Sequence, residues 1–229
     1  AYVPAWTSAS EWYVSHEVSA GQDADFTEAT RIGTSLGSSL SAVGSATDAK
    51  SIASGSVNFS YVGDAYTVTF NSNTSSFGAN QTTEPGYFAS NAFRDGYFVA
   101  NIDKLYVNYS ITGSIKVNGT TLPQDFTDAY SYVDNSFYAK LFVEDQSLPI
   151  PQRYSNRQWF DWKDIYEYLE NPGEISYPVS DSDTSEISLI TGHTYWFAFD
   201  TFVDGNSSGV SGSGVPWTVS FSFSDTAPA

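Results

Sequence analysis

Two histidines, His16 and His193, and no cysteine narrow the chemistry open to this chain. A His-centred triad or a multi-His transition-metal site needs imidazole or thiolate set beside a nucleophile and an orienting partner. His16 falls on the apolar phase of an alternating stretch and His193 follows Gly192 in a turn, so both read as structural. Carboxylates are plentiful, with 26 acidic residues against 9 basic ones. A glycosidase needs only two of them at a suitable separation. No spacing singles out such a pair, and the chain is expected not to be an enzyme.

Calcium suits an oxygen-rich, thiol-free sequence better, because it is a hard cation that takes carboxylate and carbonyl ligands. Asp181, Asp183 and Glu186 lie close together in one polar stretch, and Asp200, Asp204 and Asn206 cluster around another. These are the candidate metal ligands, and calcium is the one cofactor expected. Neither set follows the EF-hand pattern, and the competing reading of each is a solvated acidic turn. Trp159, Phe160, Trp162, Tyr166 and Tyr168 crowd a segment flanked by Arg153, Arg157 and Lys163. Flat rings with polar tips suit stacking on sugars or docking to a subunit, which makes Trp159, Trp162 and Tyr166 candidate contact residues. The competing reading is a short helix packing its tryptophans onto a core. Asn58, Asn73, Asn80, Asn108, Asn118 and Asn206 each begin an Asn-X-Ser/Thr sequon and are candidate glycosylation sites.

The elements that would carry these residues are mostly strands. Trp12, Val14, His16 and Val18 alternate as a half-buried strand does. Ala20 to Glu28 reads as an acidic loop. Thr34 to Ser56 is almost entirely Ser, Ala, Gly and Thr, and reads as small-residue strands, with a flexible linker as the alternative. Residues 57–70 form a hairpin around Gly63-Asp64. Leu105 to Val117 is the longest alternation, with Gly113 placed as a bulge or bend. Asn118-Gly119 signals another hairpin that returns through Thr120 to Leu122. Phe137 to Val143 alternates again. The recurrence of Trp159, Trp162, Ile165, Tyr166 and Leu169 at spacings of three and four predicts one short helix near 156–169. Ile187 and Leu189, the Thr191-Gly192 turn and Tyr195 to Val203 read as a second hairpin, and Trp217 to Phe223 as the last strand. The sum is an all-β chain, a β-sandwich of jelly-roll type. Three segments are distinguished within what is expected to be one domain: 1–33, 34–56 and 57–229.

Net charge at pH 7 is −17. Such a surface repels nucleic acid and anionic lipid, so neither is an expected partner. No run approaches the roughly 18 apolar residues of a membrane helix, so no membrane insertion is expected of the sequence as it stands. The start at Ala1 fits what an export signal leaves after cleavage. The absence of Cys and Met removes the most oxidisable side chains, which suits an extracellular or cell-surface location.

Three stretches together resemble the PEP-CTERM family of exported bacterial proteins: the Ser/Ala-rich run from Thr34 to Ser56, the stretch Ile187-Ser-Leu-Ile-Thr-Gly-His-Thr-Tyr-Trp-Phe-Ala-Phe199, and Ser220-Phe-Ser-Phe-Ser-Asp-Thr-Ala-Pro-Ala229. The resemblance implies export, a β-sandwich and a matrix or surface role, with no catalytic motif to carry over. The function expected is that of a secreted structural protein, self-assembling into filaments by β-strand addition. Trp12, Val14, His16 and Val18 would then be an exchangeable donor strand. A module binding extracellular polysaccharide is the first alternative and a glycosidase the second.

Overall fold

The computed structural model describes residues 4–7, 12–20, 26–33, 39–47, 51–62, 65–76, 86–118, 133–169, 173–207, 211–212 and 217–229. In chain order the strands are β1 (Trp12–Ala20), β2 (Phe26–Gly33), β3 (Leu40–Thr47), β4 (Ser51–Val62), β5 (Ala65–Ser76), β6 (Gly86–Val99), β7 (Lys104–Asn118), β8 (Val133–Asp145), β9 (Gln158–Leu169), β10 (Glu174–Ser188), β11 (Thr194–Ser207), β12 (Ser211–Gly212) and β13 (Trp217–Ser224). A short helix, α1 (Ile150–Ser155), precedes β9.

All pairing is antiparallel. One sheet runs β2-β1-β6-β11-β8-β9, and the other runs β10-β7-β13-β5-β4-β3 with β12 added beside β5. The pairs β5–β13, β6–β11, β7–β10 and β8–β9 nest inside one another along the chain. They separate in space into β10-β7-β13-β5 and β6-β11-β8-β9, the two four-stranded halves of a jelly roll. The first four strands widen that roll: β1 and β2 extend one sheet beyond β6, and β3 and β4 extend the other beyond β5.

The inward phases of both sheets meet in one apolar core that reaches from Trp12 to Phe223. Aromatic pairs bridge the layers: Trp217 stacks on Phe137 at 4.1 Å, Trp162 on Tyr109 at 4.6 Å, and Trp12 packs on Phe59 at 5.0 Å. Small residues on β3 and β4 make room for large ones opposite. A Cβ on Gly55 would lie 1.5 Å from Phe88, and one on Gly44 would lie 2.2 Å from the His16 ring. The Ser/Ala/Gly-rich run therefore supplies strands whose thin inner face is complementary to bulky neighbours, and β1, β3 and β4 share the core of the rest.

Several expectations need correction. Residues 158–169 are a strand, and the helix lies earlier, at Ile150–Ser155. The cause is a β-bulge: Ala139 pairs with Lys163 but Lys140 pairs with Asp161, so Trp162 is the extra residue. Before it the inward phase is even (Phe160, Trp162) and after it odd (Ile165, Leu169), and that one-residue slip imitates helical spacing. Gly113 is not a bulge, since β7 keeps one phase from Leu105 to Val117 and pairs with β10 in unbroken register. A Cβ there would lie 2.4 Å from the Trp217 indole, so Gly113 leaves space for that ring. The second hairpin does not form. β10 lies in one sheet and β11 in the other, and the intervening turn, with Gly192 at φ 89°, crosses between layers. Gly192 N donates to Ala100 O, and Leu189 N donates to Asp103 O, both at 2.8 Å, which ties this crossing to the parallel one between β6 and β7.

Glu28 belongs to β2 rather than to a loop. Val43 points outward, 67% exposed, and Ala42 and Ala46 take the inward phase. The proposed donor strand is an interior strand of its own chain, hydrogen-bonded to β2 on one side and β6 on the other. Its side chains Trp12, Val14, His16 and Val18 are all buried. The hairpin return through Thr120 to Leu122 and the sequon at Asn80 lie outside the described residues, as do the side chain of Asn73 and the tips Gly63-Asp64 and Gly119.

Candidate functional site

An antiparallel sheet with one solvated face normally alternates apolar-in and polar-out. The β10-β7-β13-β5-β4-β3 sheet follows this rule, with Val43, Ile52 and Val62 on β3 and β4 as exposed exceptions. One row across its outer face reads Ser182, Ser110, Ser220, Thr67, Ser60, and the next holds Ser180, Thr112 and Thr218 on β10, β7 and β13 and Asn58 and Ser41 on β4 and β3.

The outer face of the β2-β1-β6-β11-β8-β9 sheet departs from it. Register places Ile32, Tyr13, Phe93, Asp200, Lys140 and Asp161 in one row, and Thr30, Ser15, Asn91, Phe202, Tyr138 and Asp164 in the next. Tyr13 stacks on Phe93 at 5.1 Å, Tyr138 on Phe202 at 5.4 Å, Phe142 on Trp159 at 5.3 Å, and Tyr166 on Tyr168 at 5.7 Å. The rings lie in cross-strand or same-strand neighbours, the geometry in which side chains on one sheet face meet. Trp159, Tyr166 and Tyr168 along β9 remain about half exposed, at 51%, 58% and 49%.

Acids are set among these rings. Asp200 accepts hydrogen bonds from Asn91 Nδ2 at 2.6 Å and from the Tyr138 hydroxyl at 3.1 Å. Asp204 accepts one from the Ser136 hydroxyl, and Asp134 accepts from the backbone N–H and the side-chain amide of Asn206 at 3.0 and 3.2 Å. Burial pushes all three carboxyls above the ordinary carboxylate range, against the hydrogen bonds that draw them back. The same field works on the phenols. Tyr87 is pushed up to about 12 by burial first and by Asp204, Glu17 and Asp134 after it. Lys140 sits over the Tyr138 ring at 4.7 Å. Arg157 pairs with the buried Glu144 and lies against Phe142 and Trp196, so the cations at this end are already engaged. Over Ala89 the face dips into a hollow ringed by Glu17, Glu28, Tyr87, Asn91 and Phe202.

The residues picked out from sequence divide accordingly. Asp200, Asp204 and Asn206 come together on this face, on β11 and not in a loop, with Asp134 of β8 as a fourth polar neighbour. Asp181, Asp183 and Glu186 are on edge strand β10, and they do not converge. The pleat sends Glu186 to the opposite face from the other two, where it pairs with Lys104 at 2.6 Å, while Asp181 faces Lys163 at 3.6 Å. Among the described residues no three His, Asp or Glu side chains are grouped as a metal site. Trp159 and Tyr166 are on the aromatic face, but Trp162 is turned into the core, 5% exposed, with its indole N–H donating to Ser185 Oγ at 2.9 Å. Asn58 and Asn108 stand exposed on the Ser/Thr face, with Asn108 Oδ1 accepting from the Thr184 hydroxyl at 2.7 Å. Asn118 ends β7, and Asn206 is half-buried on the aromatic face.

The two histidines differ in their surroundings. His16 is buried in the core. His193 Nδ1 lies 2.7 Å from Asp145 Oδ2, a contact that fixes the β10–β11 crossing to the end of β8. The nearby Ser147 hydroxyl oxygen accepts from Thr194 N at 2.9 Å.

Sequence reasoning missed β6, the strand beside β1 on which half of this face depends. Its two phases explain the omission. The inward side carries Ser90, Arg94 and Gly96 and the outward side Tyr87, Phe93 and Tyr97, so hydrophobicity does not alternate. Comparison with protein-family models gives no match, and a search of curated proteins gives none either.

Proposed function

We propose that this chain is a non-catalytic structural protein of the cell surface or extracellular matrix, which assembles with copies of itself through the outer face of its β2-β1-β6-β11-β8-β9 sheet. The observation that carries the reading is the asymmetry of the sandwich. One outer face is mostly Ser, Thr and Asn, with Val43, Ile52 and Val62 exposed along β3 and β4, and the other is laid with stacked, half-exposed rings. Contiguous exposed aromatic surface marks an interaction site, and jelly rolls recur in shells and lectins. The Cys- and Met-free, acidic composition and the family resemblance support a surface location.

Each copy carries −17 charges, and the aromatic face holds Glu17, Asp134, Asp200 and Asp204. Two such faces repel unless cations or salt intervene. Calcium enters the reading here, as a bridge between carboxylates of two copies rather than as an occupant of one chain. With β1 committed to its own sheet, strand addition would proceed at an edge. β3 is the candidate edge, because Leu40–Thr47 contains no charged residue and no proline, the usual guards of an edge strand. The Thr27 hydroxyl already donates to Ser45 O at 2.7 Å, so only part of that edge is open. Sedimentation velocity with added calcium, and again with chelator, tests the reading. Calcium-dependent growth beyond the monomer supports it, and a monomer at every calcium and salt concentration removes it.

The exposed row Trp159, Tyr166 and Tyr168 on β9 favours polysaccharide binding as a second reading, since rings spaced along one strand suit stacking on successive sugars. Retention on polysaccharide columns that is lost on Trp159→Ala, by a protein that stays monomeric, would select it.

A further inference from the structure

Arg94 points inward from the middle of β6 into the core and is 1% exposed. Among the described residues none of its three guanidinium nitrogens makes a well-aligned hydrogen bond. Its neighbours are rings: Trp6 of the N-terminal segment at 5.4 Å and Tyr66 of β5 at 6.0 Å, measured from Cζ to the ring centroids. Trp6 is held over this spot by a backbone bridge to Phe98 and by edge contacts with Phe98 and Phe197.

The polar atoms of both neighbours, Trp6 Nε1 and the Tyr66 hydroxyl, are also buried; the phenol oxygen lies within reach of the guanidinium and the indole N–H, in contacts too poorly aligned to make full hydrogen bonds. An indole N–H and a guanidinium can only donate, and a guanidinium keeps its charge in proteins. The one acceptor among them, the phenol oxygen, is uncharged, so the set is a buried positive charge with no counter-charge among its ring neighbours. The nearest acid in sequence, Asp95, is on the other side of the pleat, where it accepts from Trp196 Nε1 at 3.2 Å. Tyr66 is not a counter-ion, because burial pushes its phenol up to about 12 and keeps it protonated, although the Arg94 charge draws it back. A buried charge left without a counter-charge is strongly destabilising, more so than contacts with ring faces offset.

We propose that Arg94, Trp6 Nε1 and the Tyr66 hydroxyl form a buried binding site for one small monovalent anion of halide size. The anion accepts from the guanidinium, the indole and the phenol, and neutralises the charge where water would leave it. Because its donors come from the N-terminal segment, from β6 and from β5, the anion links both sheets and holds the first residues of the chain against the end of the core.

The test uses thermal unfolding of the whole chain at fixed ionic strength, with sodium gluconate exchanged stepwise for sodium chloride. Wild type is expected to gain about tenfold in folding constant per tenfold rise in chloride above the dissociation constant, as one-site linkage requires. Arg94→Met, which keeps the volume and removes the charge, is expected to show no such gain. An equal chloride response in both proteins, or none in wild type, overturns the proposal. Should Arg94→Met fail to fold, crystals of wild type grown in sodium bromide decide the question. An anomalous peak within hydrogen-bond reach of the guanidinium supports the site, and its absence overturns it.

Discussion

Trp162 stacks on Tyr109 inside the sandwich at 4.6 Å, while Trp159, three residues earlier on the same strand, stacks on Phe142 on the outside at 5.3 Å. Residues three apart on a strand point to opposite faces, and the two tryptophans therefore have opposite duties. Trp162→Ala empties a core position shared with Phe199 and Phe221 and is expected to cost about 3–5 kcal/mol in urea unfolding. Trp159→Ala should leave the unfolding midpoint nearly unchanged and act on association alone.

Gly55 and Phe88 form the closest fit across the layers. Gly55→Ala would place a methyl 1.5 Å from a ring that is fully enclosed and has nowhere to turn. Overpacking of this kind costs about 1–3 kcal/mol, and pairing the change with Phe88→Leu should recover part of it in a double-mutant cycle. A Gly55→Ala protein as stable as wild type would return residues 34–56 to the status of a linker.

His16 gives the core a sensitivity to acid. Its ring faces Gly44 and Thr27, with no charged group among these neighbours, and burial lowers its pKa below the usual value of 6.5. The unfolded chain then binds the proton that the folded chain refuses. Stability from this source is complete above about pH 6.5 and falls as pH drops through 6.5 towards the folded value. Wild type should lose melting temperature between about pH 7.5 and 5.5, and His16→Leu should lose distinctly less. Parallel curves for the two proteins would show that another group is responsible.

Asp204 has the opposite sign. Burial raises its pKa above 3.8, so its ionised form opposes folding at neutral pH, and that penalty is relieved as pH falls through the folded value towards 3.8. Asp204→Asn can still accept from Ser136, and it should therefore raise the melting temperature at pH 7, with an advantage that shrinks in acid. A loss of stability at pH 7 would mean that the carboxylate charge itself is needed on this face.

Strands with a thick apolar phase were legible in the sequence, and those built on complementarity were not. β7 and β13 alternate cleanly because every inward residue is apolar. β10 reads as a polar loop because it is an edge strand, with Asp181 and Asp183 at the rim even on its inward phase. The Ile187–Phe199 stretch carries the signature of a hairpin, yet turn residues do not encode whether the next strand joins the same sheet or crosses to the other. On the aromatic face the separate clusters at Asp200–Asn206 and at Trp159–Tyr166 were visible. Their union was not, because it depends on the lateral order β6-β11-β8-β9, which only long-range pairing determines.

The decisive measurement is sedimentation velocity of wild type beside Phe202→Lys and Tyr166→Lys, each in calcium and at high salt, after circular dichroism has shown that the variants are folded. Both substitutions put a charge on the aromatic face without touching the core. Wild type should grow with concentration into regular oligomers while both variants remain monomeric. Oligomers of the same size in all three proteins would place the contact elsewhere on the sandwich, and a wild type that stays monomeric throughout would contradict self-assembly itself.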